Sequence, residues 1–69
     1  MNVSRFSKIE RVYIYNDKHG DRLYDVHYKS HLRRVFHKLN VPKIVLDFIR
    51  YGNYSKYKDD HHVRYVNKE

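Results

Sequence analysis

The first hydrophobic pattern along the chain alternates with a period of two residues. Within residues 9–28, Val12 and Ile14 fall on one side of an extended chain, and tyrosines fall on the other. After a stretch rich in Asn, Asp and Gly at residues 16–21, the alternation resumes around Val26. Such alternation is typical of half-buried strands, and Asn, Asp and Gly suit the loop between them. The pattern predicts an antiparallel β-hairpin.

The next pattern has the spacing of a helix. Between Leu32 and Leu39, apolar side chains recur at i, i+3, i+4 and i+7, while cations and histidines occupy the opposite arc. Ser30 can cap the first turn, because its hydroxyl accepts a hydrogen bond from an unpaired amide. Asn40 can cap the last turn. We therefore expect a first helix between Ser30 and Asn40 with one fully cationic face.

A more apolar segment follows at residues 42–51. Pro42 suits the first turn of a helix, and Gly52 suits the position just past its end. Apolar side chains cover more than half of the helical circumference, which places such a helix in the middle of the fold. The short run at residues 44–46 has a buried strand as its alternative interpretation.

The remaining segments complete the expected fold. Residues 53–60 are interpreted as a polar, Tyr-rich connection, and residues 63–66 as a last strand that pairs with the hairpin. Residues 67–69 are expected to fray. The prediction is an α+β fold of order ββααβ, with residues 1–69 forming a single small domain. A chain of 69 residues buries only about 60% of its unfolded surface, so the core should be thin.

Charge adds a candidate function to this fold. Lys and Arg number 15 against eight Asp and Glu, which gives a formal net charge of +7. Residues 26–46 contain no acid, and Asp47 is the one acid as far as Lys58. The net charge therefore belongs to the two predicted helices and the loop after them. A positive field of this kind favours polyanionic partners, of which nucleic acid is the first.

The predicted binding face lies on the first helix and its flanks. Arg33, Arg34 and Lys38 are the main expected phosphate contacts, and the tyrosines among the flanking residues are expected to stack on bases. The predicted nucleic-acid-binding residues are Lys29, Arg33, Arg34, Lys38, Lys43, Tyr54, Lys56, Tyr57 and Lys58. The alternatives are a solvated cationic face for the charges and a core position for the tyrosines.

The type of nucleic acid stays open at this stage. A helix-turn-helix reader of base edges is unfavourable, because its second helix must be polar and residues 42–51 are mostly apolar. We expect contacts to the backbone with little sequence specificity. The pattern does not distinguish RNA from DNA, or a single strand from a duplex.

Metal and cofactor chemistry find little support in the residues. The chain has no Cys, which removes disulfides and thiolate metal sites. Four ligand-type residues are contiguous at residues 59–62, but His61 and His62 would point to opposite faces of a strand. We predict neither a metal site nor a cofactor.

An enzyme is not predicted either. Gly20 and Gly52 are the only glycines, so no Gly-rich phosphate loop exists, and no serine lies in a Gly-x-Ser-x-Gly turn. His, Tyr and Arg are abundant, which leaves a small metal-independent ribonuclease open.

Location and source bear on a second candidate function. No run approaches the roughly 20 apolar residues of a membrane span, and residues 1–11 lack the apolar centre of a secretory signal. We expect a cytoplasmic protein without membrane contact. Abundant Lys, Asn, Tyr, Ile and Phe correspond to AT-rich codons, which favours a phage or mobile-element gene. The alternative function is therefore a phage-type inhibitor or regulator that binds a host or defence protein complex, and a homodimer is also open.

Overall fold

Five antiparallel strands and one α-helix make up residues 5–69, the part of the chain described by this computed structural model. The elements are β1 (Ile9–Asn16), β2 (Arg22–Tyr28), β3 (Arg33–His37), a 3-10 turn (Lys38–Asn40), α1 (Lys43–Tyr51), β4 (Tyr54–Lys58) and β5 (His62–Asn67). The strand order is β3-β2-β1-β5-β4. The predicted ββααβ fold with two helices is therefore wrong, because the domain is mostly sheet.

The hairpin expected over residues 9–28 is present as β1 and β2. Its loop is held by the carboxylate of Asp17, which accepts hydrogen bonds from the backbone amides of His19 and Asp21 at 2.8 and 3.0 Å. Gly20 adopts a φ of +81° in this loop, a left-handed conformation that glycine enters without a steric penalty. The loop residues thus fix the strand pairing through local hydrogen bonds.

A β-bulge lets β1 bury both Ile9 and Val12, an odd-numbered and an even-numbered residue that regular alternation would place on opposite faces. The pairing with β2 shifts between Ile9 and Arg11, so one extra residue of β1 is accommodated there. Ile9 and Val12 lie three residues apart, yet both are buried on the same side of the sheet. Strict alternation would have placed one of them in solvent.

The first predicted helix is wrong, because residues 33–37 form β3 at one edge of the sheet. Residues 29–31 make the three-residue loop of a second hairpin, in which His31 has a φ of +71°. Leu32, Val35 and Leu39 are 48%, 47% and 79% exposed, and of the predicted stripe Phe36 alone packs against the core. The free edge of β2 gains a full ladder of hydrogen bonds from this arrangement.

The connection expected at residues 53–60 is also wrong, because Tyr54–Lys58 form β4 at the other edge. This segment is short and rich in Lys, a composition that is also typical of a loop. Lysine is common on edge strands, however, since its charge discourages further strand pairing. The predicted last strand is confirmed as β5, which pairs with β1 and β4.

The apolar segment after Pro42 is confirmed as a helix, α1, and the strand alternative for residues 44–46 is wrong. α1 covers one face of the sheet. The buried apolar core consists of Phe6, Ile9, Val12, Val26, Val45, Phe48 and Tyr65. No helix among residues 5–69 is long and apolar enough to cross a membrane.

His31→Gly is expected to stabilise the domain. A φ of +71° costs a residue with a Cβ about 1 kcal/mol relative to glycine. The melting temperature should rise by roughly 4–8 °C in thermal denaturation. Ser30→Gly in the same loop is the control, since it adds chain flexibility without relieving a left-handed conformation. An equal effect of both substitutions would contradict this reason.

The end of the chain is bonded to the domain and not frayed as expected for residues 67–69, and Asn67 makes most of these bonds. Its side-chain amide donates to the carbonyl oxygens of Phe6 and Ile9 at 3.0 and 2.8 Å, and the backbone amide of Lys68 donates to Asn53. The end of β5 is therefore bonded to the segment that enters β1.

We expect Asn67→Ala to lower the free energy of unfolding by about 2 kcal/mol, since a net hydrogen bond contributes about 1 kcal/mol. Urea denaturation measures this change. Asn53→Ala is the control, because it keeps the backbone contact to Lys68. It should change the stability by less than about 0.5 kcal/mol. Similar losses in both variants would show that the two side-chain bonds contribute little.

Candidate functional site

The sheet has two unlike faces. α1 packs on one, and we call the other the open face, since no helix of residues 5–69 covers it. Strand pairing arranges its side chains in three rows that run across the sheet from β3 to β4. The rows are Arg33, His27, Arg11, Val66 and Ser55; then Val35, Asp25, Tyr13, Arg64 and Tyr57; then His37, Leu23, Tyr15, His62 and Asp59.

The open face follows directly from alternation in the central strands. In β1, the bulge turns Arg11, Tyr13 and Tyr15 away from the core once Val12 points inwards. In β5, the burial of Tyr65 places Arg64 and its alternate neighbours outwards in the same way. On β1 and β5, the solvent side of the sheet thus carries mainly aromatic rings and guanidinium groups.

Aromatic rings and a cation meet on β1, β5 and β4. The guanidinium carbon of Arg64 lies 4.6 Å from the ring centre of Tyr57, a cation–π contact. The rings of Tyr15 and His62 are 5.7 Å apart. A cavity of about 340 Å³ opens at this place. It is lined by Tyr13, Tyr57, Lys58, Asp59, His62 and Arg64.

On the opposite half of the open face, a buried carboxylate neutralises one of the cations. Asp25 is 3% exposed and accepts hydrogen bonds from Nε and Nη2 of Arg33 at 2.8 and 2.7 Å. The hydrogen bond and the charge of Asp25 raise the pKa of Arg33 above its usual value. Nε2 of His27 lies 3.2 Å from the same carboxylate. Asp25 on β2 thus holds Arg33 on the neighbouring strand β3 and offsets its positive charge.

Asp59 is the acidic group at the cavity. Its Oδ1 accepts hydrogen bonds from the backbone amides of His61 and His62, both at 2.7 Å. These two bonds lower the pKa of Asp59, because they stabilise the carboxylate. Asp59 therefore stays ionised well below neutral pH, and an ionised carboxylate only accepts hydrogen bonds.

The residues predicted from the sequence to bind nucleic acid do not form one surface. Arg33 and Arg34 lie on opposite faces, because they are neighbours on β3 and not members of one helical face. Arg33 and Tyr57 reach the open face, and Lys58 lines the cavity. Lys56 lies on the helix side, with Nζ 5.7 Å from the ring centre of Tyr65.

The other predicted residues lie elsewhere. Tyr54 packs against the core, and its hydroxyl donates to the carbonyl of Ile49 at 2.7 Å, so it is unavailable for stacking. Lys29 lies in the β2–β3 loop and donates to the backbone carbonyl of Glu69. Lys38 and Lys43 are exposed in the 3-10 turn and at the first position of α1.

Sequence reasoning missed most of the residues at the cavity. Tyr13 and Arg64 lie on strands that the sequence predicts, and His62 lies one residue before the last predicted strand, but all three fall outside the acid-free segment. The available signal was the outward side of β1, where Arg11 precedes two alternating tyrosines. A strand whose solvent side is aromatic and basic is unusual for a face that only meets water.

Two further findings concern metal binding and similarity to known proteins. Within residues 5–69, no three His, Cys, Asp or Glu side chains lie together in a position to hold a metal ion. The chain was compared with protein-family models, curated proteins and solved structures, and it matches none of them.

Proposed function

We propose that this protein binds single-stranded nucleic acid through the open face of its sheet. The observation that supports this most is the cluster of Tyr13, Tyr15, Tyr57 and His62 around Arg64. Bases stack on such rings with about 1–3 kcal/mol each, and arginine adds a cation for the backbone. The little sequence specificity predicted from the chain fits stacking, since every base has a π-face.

The charge distribution supports the same proposal. The net charge is +7, and the acid-free residues 26–46 build the β3 edge, the 3-10 turn and the start of α1. A strand lying on the open face would be attracted by this net charge and would meet Lys58 and Arg64 there, since Arg33 on β3 is already paired with Asp25. Phosphates bound there release condensed counterions, which makes the affinity depend on salt.

The width of the face favours a single strand over a duplex. Five strands span four interstrand spacings, so the sheet is about 19 Å wide along each row. The major groove of B-DNA is about 12 Å wide and admits a helix or a two-stranded ribbon. The open face is too broad to enter that groove, whereas unpaired bases can lie flat on it.

The test is fluorescence anisotropy with labelled single-stranded RNA, single-stranded DNA and duplex DNA, each titrated at several salt concentrations. We expect the single strands to bind more tightly than the duplex. Tyr57→Ala should weaken single-strand binding about tenfold, through the loss of one stacking ring. Tyr51→Ala is the matched control, because Tyr51 is 73% exposed on α1 and Tyr57 is 51% exposed on the open face.

Two results would contradict the proposal. One is equal, weak binding of all three ligands that disappears near physiological salt. The other is an equal loss in the Tyr57 and Tyr51 variants, which would remove any special role of the open face.

The β3 edge supports a second candidate, a regulator that binds a host protein complex. Leu32 and Val35 are about half exposed along this unpaired edge, and an exposed edge accepts a strand from a partner. A pull-down from nuclease-treated bacterial lysate tests it. This candidate requires one retained protein that is lost with Val35→Lys, while loss of all ligands on nuclease treatment favours nucleic acid.

A further inference from the structure

The cavity at the β4–β5 end of the open face has the size of a site for a small planar group. Its volume of about 340 Å³ lies at the lower end of the range for small-molecule sites, roughly 300–1,000 Å³. Tyr13 and His62 provide ring walls, and Tyr57 with Arg64 stacked on it provides another. Such walls suit one nucleobase, while the other bases of a bound strand stack elsewhere on the face.

One polar group in this cavity can distinguish bases. Oδ1 of Asp59 already accepts two backbone hydrogen bonds, which fixes the carboxylate in place. Oδ2 accepts none from residues 5–69, and so its lone pairs are available to a ligand. The low pKa of Asp59 keeps this group an acceptor throughout the neutral range.

We infer that the cavity takes one guanine base of the bound strand, with Oδ2 of Asp59 lying between the N1 and N2 groups of its Watson–Crick edge and accepting a hydrogen bond from each. Guanine places these two donors side by side, so that one oxygen with two free lone pairs can accept from both. Uracil and thymine flank their single ring donor with two carbonyl oxygens, which the carboxylate repels. Adenine and cytosine each offer one exocyclic amino group beside an unprotonated ring nitrogen. The inference rests on the proposed function and adds a base preference to it.

Lys58 and Arg64 also line this cavity. Their cations attract the phosphates of the bound strand and offset the charge of Asp59. A site of this kind binds one nucleotide specifically inside an otherwise unspecific strand.

The first measurement needs no variant. Labelled oligouridine strands that carry one central guanosine, inosine, adenosine or uridine are titrated with the wild-type protein. We expect the guanosine strand to bind about tenfold more tightly than the uridine strand. Inosine lacks the N2 amino group and should fall between them.

Asp59→Asn then tests the acceptor. The amide oxygen can still accept the two backbone bonds, so the turn is retained, but the group facing the cavity becomes a donor. We expect the guanosine preference to disappear and uridine to bind as well as guanosine or better. Asp60→Asn is the matched control with the same change of charge, because Asp60 does not line this cavity. It should keep the preference.

The outcomes separate the inference from the proposed function. Tight binding of all four strands with equal affinity overturns the guanine site and leaves the open-face proposal standing. Loss of the preference in both Asp variants assigns it to overall charge, which also overturns the site. Failure of every strand to bind overturns the proposed function itself.

Discussion

Arg64→Ala is expected to weaken the binding of single-stranded nucleic acid at least about tenfold, whereas Arg50→Ala should leave it nearly unchanged. Arg64 occupies the middle row of the open face between Tyr13 and Tyr57, and its guanidinium lies against the ring of Tyr57. The substitution removes a cation and also the group that holds a stacking ring in place. Anisotropy titrations of both variants measure the two affinities.

The salt dependence gives this prediction a second readout. A lost phosphate contact should reduce the slope of log affinity against log salt by about 0.7 for a single strand. Arg50 lies exposed on α1, and both substitutions remove one positive charge. Any difference between them therefore reports position. Equal losses would mean that net charge alone attracts the ligand and that the open face makes no direct contact.

The largest expected effect on stability is that of Gly52→Ala, about 3 kcal/mol of destabilisation. A Cβ on Gly52 would lie 2.5 Å from the carbonyl oxygen of Phe48 and 2.6 Å from Cδ1 of its ring. Phe48 is fully buried in the core, so its ring cannot move aside without disturbing the neighbouring rings of Phe6 and Tyr54. The φ of Gly52 is −71°, which any residue adopts, so the cost is a steric clash alone.

Gly20→Ala provides the contrast. A Cβ there would meet nothing within 4 Å, but the φ of +81° costs a residue with a Cβ about 1 kcal/mol. Thermal and urea denaturation of both variants should therefore show the larger loss at Gly52. A larger loss at Gly20 would mean that the end of α1 adjusts to the extra methyl group.

The strands at the centre of the sheet could be predicted from the sequence, and those at the edges could not. β1, β2 and β5 bury Val12, Val26 and Tyr65 in a thin core, and burial on one face forces a clear alternation. At β3, both faces are largely exposed, so the order of apolar residues is weakly constrained. Four apolar positions could then match the spacing of a helix by chance. Pairing with β2, which no local pattern encodes, decided the structure.

The candidate site depended on the same long-range pairing. Tyr13, Arg64 and Tyr57 are distant in sequence and become neighbours through the pairing of β1 with β5 and of β5 with β4. Counting charges along the chain identified a basic protein but placed Arg33 and Arg34 on one helical face. The structure separates them, and Asp25 neutralises the one that reaches the open face. Charge in the sequence is not the same as charge available to a ligand.

The rows of the open face run perpendicular to the strands, and this has a mechanical consequence. Core residues concentrate in the three central strands, while β3 and β4 contribute partly buried side chains such as Phe36 and Tyr54. The edges are therefore the parts of the sheet that open first in local fluctuations, where amide hydrogens exchange most readily. A polymer that lies along a row contacts each of the five strands once and so links the two edge strands to the centre of the sheet. Bound in this way, it would slow the opening of both edges together without adding a single backbone hydrogen bond.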